Sequence, residues 1–161
     1  MYDLAGEYLC KVDAKGRIRL PSALIRQIGN PDGLKFTVNR GFEKHLMLYP
    51  SDVWAKKTKE IRQLNIYKIK ERQAIRYFYR GATKVVLDSA DRILLPKSLI
   101  DYAGLDKQVV LFAYQEQVEI WSKDEYDEKL ADEPDDFGAL MDSIYADRNL
   151  GEKRSDDERA V

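Results

Sequence analysis

The sequence repeats itself once. Residues 12–29 read VDAKGRIRLPSALIRQIG, and residues 87–104 read LDSADRILLPKSLIDYAG. The two align without a gap at an offset of 75. Identical pairs are Asp13/Asp88, Arg17/Arg92, Ile18/Ile93, Leu20/Leu95, Pro21/Pro96, Leu24/Leu99, Ile25/Ile100 and Gly29/Gly104. After a three-residue shift the likeness resumes: Leu46, Leu48, Tyr49 and Trp54 answer to Val118, Ile120, Trp121 and Tyr126. Two copies are too few for a solenoid, which needs about three. Two tandem domains, or two halves of one pseudo-symmetric domain, fit better.

Each copy follows one local grammar. A short apolar strand (8–12; 84–87) reaches a polar turn (13–16; 88–91), and a second strand follows (17–20; 92–95). Proline comes next, where the first turn of a helix tolerates its missing N–H. The short helix carries Leu24, Ile25 and Ile28, or Leu99, Ile100 and Ala103, at core spacing. Glycine closes it, because a helix C-terminus usually needs a residue of positive φ. Two more strands form a hairpin: 35–39 with 46–49, and 108–114 with 117–121. The unit is β-β-α-β-β and about 40 residues long, a size that seldom folds without a partner, a metal or disulfides.

Metals and disulfides are poorly supplied. Cys10 is the lone cysteine and His45 the lone histidine, which excludes an internal disulfide and most transition-metal sites. Pairing of the two repeats is the remaining solution. The fold class is therefore α+β with a mainly β core. Repeat 1 spans 4–50, connecting helices 51–81, repeat 2 82–122, C-terminal helices 123–150, and a disordered tail 151–161. Ser51 is expected to cap a helix bearing Trp54, Ile61 and Leu64. Ser122 and Glu125 form a capping box. Asp135 and Asp136 start a last helix whose Phe137, Leu140, Met141, Ile144 and Tyr145 make an amphipathic face. His45 is expected to be an exposed loop residue. Cys10, Tyr49, Trp54 and Trp121 are read as core.

The formal net charge of -1 hides a split. Residues 1–83 carry a net of +9, and residues 84–161 a net of -10. A basic half can meet phosphates, or the acidic half of a neighbouring subunit. No apolar run approaches the ~18 residues of a membrane span, and no signal segment opens the chain, so a cytoplasmic protein is expected. The sequence holds no phosphate loop, nucleophile elbow or zinc signature, which argues against an enzyme.

Asp-x-x-x-Arg, a β-strand, Pro, and a short helix ending in Gly resemble the AbrB-like (SpoVT-AbrB) swapped-hairpin domain. Two such units in tandem, with GEYLCKVDAKGRIRLP at the opening and RGATKVVLDSADRILLP in the middle, resemble the MraZ family. The resemblance covers roughly residues 4–145. It implies one pseudo-symmetric barrel with helices packed outside, and rings of about eight or more subunits. It also implies binding to double-stranded DNA, at short repeated boxes upstream of the bacterial division and cell-wall genes. Such proteins are nucleoid-associated transcriptional regulators, neither enzymes nor users of a cofactor or metal.

The DNA-binding candidates cluster around the first turn: Lys11, Asp13, Lys15, Gly16, Arg17 and Arg19. Strand alternation puts Arg17 and Arg19 on one face and Ile18 and Leu20 on the other. Such a ribbon can enter a major groove, where arginine reads guanine O6 and N7. Gly16 lets the turn stay tight. Asp13, an acid, is read as orienting Arg17 or capping its turn; a merely structural ion pair is the bland alternative. In the second motif Asp91 replaces the usual glycine, Ala90 replaces Lys15 and Leu94 replaces Arg19. Asp88 and Arg92 are therefore expected to serve fold or ring assembly, or to touch DNA more weakly. Lys68, Arg72, Arg76 and Arg80 recur at i+4, as a phosphate rail, a subunit contact or a solvated face. Two further readings compete: a non-DNA assembly protein built by charge complementarity, and an antitoxin-like AbrB relative, against which the tandem repeat counts.

Overall fold

A computed structural model of the chain describes residues 2–29, 34–131 and 133–159. The first strand, β1 (Leu4–Lys11), turns alternate residues inward: Leu4 is buried, and Gly6, Tyr8 and Cys10 are half-buried. Burial pushes the Cys10 thiol up to about 11, as befits a small core residue. The partner of β1 lies in the other repeat: it runs antiparallel to β7 (Gln108–Gln115), from Leu4 opposite Gln115 to Lys11 opposite Gln108. The second copy returns the exchange, because β5 (Thr83–Val86) pairs with β3 (Lys35–Arg40), Phe36 opposite Val85. Each repeat thus supplies the outer strand of the other's hairpin.

The hairpins are β3 with β4 (Leu46–Pro50) and β7 with β8 (Gln117–Ser122). They meet where β4 pairs with β8, Met47 opposite Glu119. The result is a six-stranded antiparallel sheet in the order β1-β7-β8-β4-β3-β5. A second, two-stranded sheet joins β2 (Arg17–Arg19) to β6 (Arg92–Leu94). Its central pair is Ile18 opposite Ile93, two residues related by the 75-residue offset. Met47 and Glu119 are related by the 72-residue offset that holds after the shift. Residues that pair with their own equivalents lie on a pseudo-twofold axis, so both sheets straddle it.

Each ribbon strand leads into a short helix, α1 (Ser22–Ile28) after β2 and α4 (Lys97–Ala103) after β6. Pro21 and Pro96 occupy the cap just before each helix, one position earlier than expected, both at φ -60. Gly29 and Gly104 close the helices in the left-handed region, at φ 70 and 60. One apolar core joins both repeats: Ile18, Leu24, Phe36, Leu46 and Leu48 with Ile93, Leu99, Leu111 and Ile120. Full burial of such a side chain stabilises by about 1.5–3 kcal/mol.

Three expectations are corrected. Pro50 holds the cap of α2 (Ser51–Ile61), so Ser51 is the first helical residue and Leu64 lies beyond the helix. Proline fixes the extended φ of a cap, and it displaces the hydroxyl from that role. His45 is buried at 5% exposure, its ring stacked on Trp121 with centroids 4.3 Å apart. Gly41 makes room for it, since a Cβ there would strike the imidazole. The tail expected to be disordered instead continues α6 (Phe137–Arg159) as far as Arg159. A single Gly151 costs a helix only about 1 kcal/mol, and the run EKR after it favours helix. Residues 160 and 161 lie outside the described residues.

The remaining helices follow the sequence more closely. Ser122 Oγ accepts the Glu125 N–H at 3.2 Å at the start of α5 (Lys123–Ala131). The Glu125 carboxylate meets Lys44 Nζ at 3.3 Å. Asp136 caps α6 by accepting the Ala139 N–H at 3.0 Å. Phe137, Leu140, Ile144 and Tyr145 of α6 are exposed. Residues 1–127 form one compact unit and 128–161 another.

Candidate nucleic-acid interface

The first motif closes on its own aspartate. Asp13 Oδ1 accepts the backbone N–H of Lys15 and of Arg17, both at 2.9 Å. Its Oδ2 accepts Arg17 Nε at 2.7 Å. Asp13 thus both caps the turn and orients Arg17, the two readings left open by the sequence. The Nε bond uses one of the guanidinium's five donors. The Arg17 backbone N–H, above the other partners, holds the Asp13 carboxyl below its usual range.

The second motif repeats the clasp despite its changed sequence. Asp88 Oδ1 accepts the N–H groups of Ala90 and Arg92 at 2.9 Å, and Oδ2 accepts Arg92 Nε at 2.9 Å. Its carboxyl is lowered likewise, chiefly by the Arg92 backbone N–H. Gly16 has φ 83 and Asp91 φ 60, so aspartate does adopt the left-handed turn position. Both turns interlock there. Leu95 donates its N–H to Gly16 O at 2.9 Å, and Leu20 donates to Asp91 O at 2.8 Å.

The ribbon brings the two motifs to one surface. Arg17 lies opposite Leu94, and Arg19 opposite Arg92. Directly opposed residues of an antiparallel pair share a face. Ile18 and Ile93 point to the core, both at 0% exposure, so these four point outward. Arg19 Nε donates to Ala90 O at 3.0 Å and ties β2 to the second turn. Two like charges directly opposite each other destabilise a sheet. The ion pair with Asp88 at 2.9 Å offsets the Arg92 charge and lets Arg19 stand beside it. Lys15 is exposed in the first turn, and Lys11 is exposed at the end of β1. Lys11 borders the same shallow hollow as Asp13 and Gly16, with Lys107 of the second repeat beside it. Lys107 and Leu94 are absent from the candidates read in the sequence. The self-pairing of Ile18 with Ile93 is the signal that finds Leu94.

The i+4 stripe does not survive as one helical face. The helix α3 runs Ile69–Tyr79, with Lys68 as its N-terminal cap and Arg80 as its extended C-terminal cap. Arg72 and Arg76 alone of the four lie within it. Arg72 Nη1 donates to Ile66 O at 3.1 Å, and Lys68 Nζ lies 3.9 Å from Glu71. Among the described residues no group of three or more His, Cys, Asp or Glu is placed to hold a metal ion. None of the described helices is long and apolar enough to cross a membrane.

Fold and site together define a class: proteins of two interlocked β-β-α-β-β copies that share one cationic two-stranded ribbon. Adjacent stretches of the chain, 4–77 and 78–138, both match the family model described as "MraZ protein, putative antitoxin-like". The chain belongs to the MraZ family. It is 41% identical over 145 residues to a protein of Christiangramia forsetii, covering 89% of this chain and 94% of that one. A Moorella thermoacetica protein is 35% identical over 139 residues, covering 86% and 94%. A Cytophaga hutchinsonii protein is 35% identical over 142 residues, covering 88% and 94%. Each of the three carries the name Transcriptional regulator MraZ.

Proposed function

We propose that this chain is a transcriptional regulator that binds double-stranded DNA in a sequence-specific way through the β2–β6 ribbon. It acts in the cytoplasm, at the nucleoid, as a ring-shaped homo-oligomer on boxes upstream of the division and cell-wall genes. The relatives' names support the regulatory role. The exchanged strands support a closed, pseudo-symmetric swapped-hairpin barrel behind the ribbon. One observation carries the DNA reading: Arg17, Arg19 and Arg92 share an exposed face, two of them directly opposed.

The first motif supplies Lys11, Lys15, Arg17 and Arg19, with Asp13 and Gly16 as positioning residues. Arg92, held by Asp88, sits on the same face, so the second motif contributes to DNA contact rather than to assembly alone. Arg72 and Arg76 serve as phosphate or subunit contacts, with Lys68 and Arg80 at the margins.

The test is fluorescence anisotropy on the chain's own upstream DNA against a shuffled duplex, at several salt concentrations. Arg17→Ala and Arg92→Ala are each expected to weaken specific binding by about five- to hundredfold, the range of one arginine–guanine contact. Light scattering should show assembly unchanged. Neutralising one phosphate-binding cation of the stripe, as in Arg76→Ala, should flatten the slope of log affinity against log salt by about 0.9. Equal affinity for the shuffled duplex would overturn the reading. It would favour the alternative that the +9 and -10 halves merely build an assembly.

A further inference from the structure

The reading face has one member that does not belong to a phosphate-binding surface. Leu94 is 57% exposed on it, directly opposite Arg17. An exposed leucine alone means little. This one is fixed by register: it stands two residues from Arg92 on β6, and Ile93 between them is fully buried. Alternation leaves Leu94 no direction but outward.

The pseudo-twofold axis through Ile18 and Ile93 sharpens the point. It exchanges Arg17 with Arg92, and Arg19 with Leu94. The backbone of the ribbon is symmetric, and so are the two aspartate clasps. The side chains on the outward face break that symmetry at one pair, a long cation on one side and a branched apolar group on the other.

Base-edge chemistry gives each side chain its target. Arginine suits guanine, whose O6 and N7 accept two hydrogen bonds. Leucine donates and accepts nothing. In the major groove the apolar group it can meet is the C5-methyl of thymine, which no other base of ordinary DNA carries. We infer that Leu94 is a specificity-determining residue that contacts a thymine methyl, beside the base read by Arg17. This rests on the DNA-binding reading proposed above.

Selection from a pool of random duplexes with the full-length chain gives the preferred box. Each thymine of that box is then replaced in turn by deoxyuridine, which removes the methyl and nothing else. One position is expected at which the replacement weakens the wild-type protein about three- to fivefold, the worth of one buried methyl. Leu94→Ala should bind the thymine and deoxyuridine duplexes equally. Leu94→Met, which keeps an apolar chain, should restore the difference. Leu94 is exposed, so neither variant threatens folding. A selected box in which no deoxyuridine position depends on Leu94 overturns this inference and leaves DNA binding intact. Selection that enriches no box overturns the DNA reading, and the inference with it.

Discussion

Asp13 shows how one side chain sets both a turn and the arginine that follows it. It accepts two backbone N–H groups and the Arg17 Nε, and Asp88 does the same for Arg92. Both carboxyls are held below their ordinary range, first by the arginine backbone N–H. A carboxyl lowered in the folded state binds its proton more readily once unfolded. Its contribution to stability is present above the ordinary carboxylate range near about 4 and is lost as pH falls below it. Asp13→Asn should therefore lower stability at neutral pH and flatten the loss of stability on acidification. Urea midpoints measured at pH steps from neutral to acid check this; an unchanged pH slope would contradict it. Gly16 is constrained differently. It sits at φ 83, and a Cβ would lie 3.0 Å from Ile100 Cδ1 and 3.2 Å from Leu95 O. Gly16→Ala is expected to cost about 1–3 kcal/mol, read as a fall in the urea midpoint. No such fall would mean that the turn can move without releasing the Leu95 N–H.

At the level of elements, what the sequence discloses depends on where the controlling signal lies. The helices α1 and α4 are legible because proline and glycine bracket them locally. The cap at Ser122 is legible for the same reason, and Ser122→Ala is expected to destabilise by about 1 kcal/mol in thermal unfolding. An undiminished Tm would show that Lys44, which meets Glu125, holds the helix start unaided. The basic stripe misleads because an i+4 count does not register helix ends. Lys68 and Arg80 satisfy the count yet fall on caps. His45 misleads because its loop position says nothing of Trp121, which is 76 residues away and stacks on it. The strand-exchange partners of β1 and β5 are set by pairing between repeats, beyond the reach of any local window. The site divides along the same line. Lys15, Arg17 and Arg19 show themselves by charge and alternation, whereas Leu94 joins the face only once the register is known.

The exchange of strands makes a statement about the whole molecule. All eight residues of β1 pair with β7, and β5 pairs with β3, so neither repeat holds its own sheet edge. The ribbon needs one strand from each copy, and the core mixes Ile18 and Leu24 with Ile93 and Leu99. Cutting the chain after Gly81 therefore removes partners from every strand at once except within the two hairpins. Each fragment keeps a hairpin and three helices but only half of the shared core, too little buried apolar surface to overcome the entropy of ordering it. Each fragment, 1–81 or 82–161, is expected to be unfolded as a monomer. Mixed, they should recover the sheet as a one-to-one complex, because the exchanged strands need not be covalently joined. Charge decides between like and unlike pairing: the fragments carry +9 and -10, so self-pairing sets like charge against like. The preference for the mixed complex should weaken as salt rises, since screening shortens the reach of exposed charges to about 8 Å at 0.15 M. Circular dichroism reads the recovered strand signal, and size-exclusion chromatography with light scattering reads the stoichiometry. Either fragment found folded and monomeric would mean that the repeats are separate domains and that the exchanged pairing is dispensable.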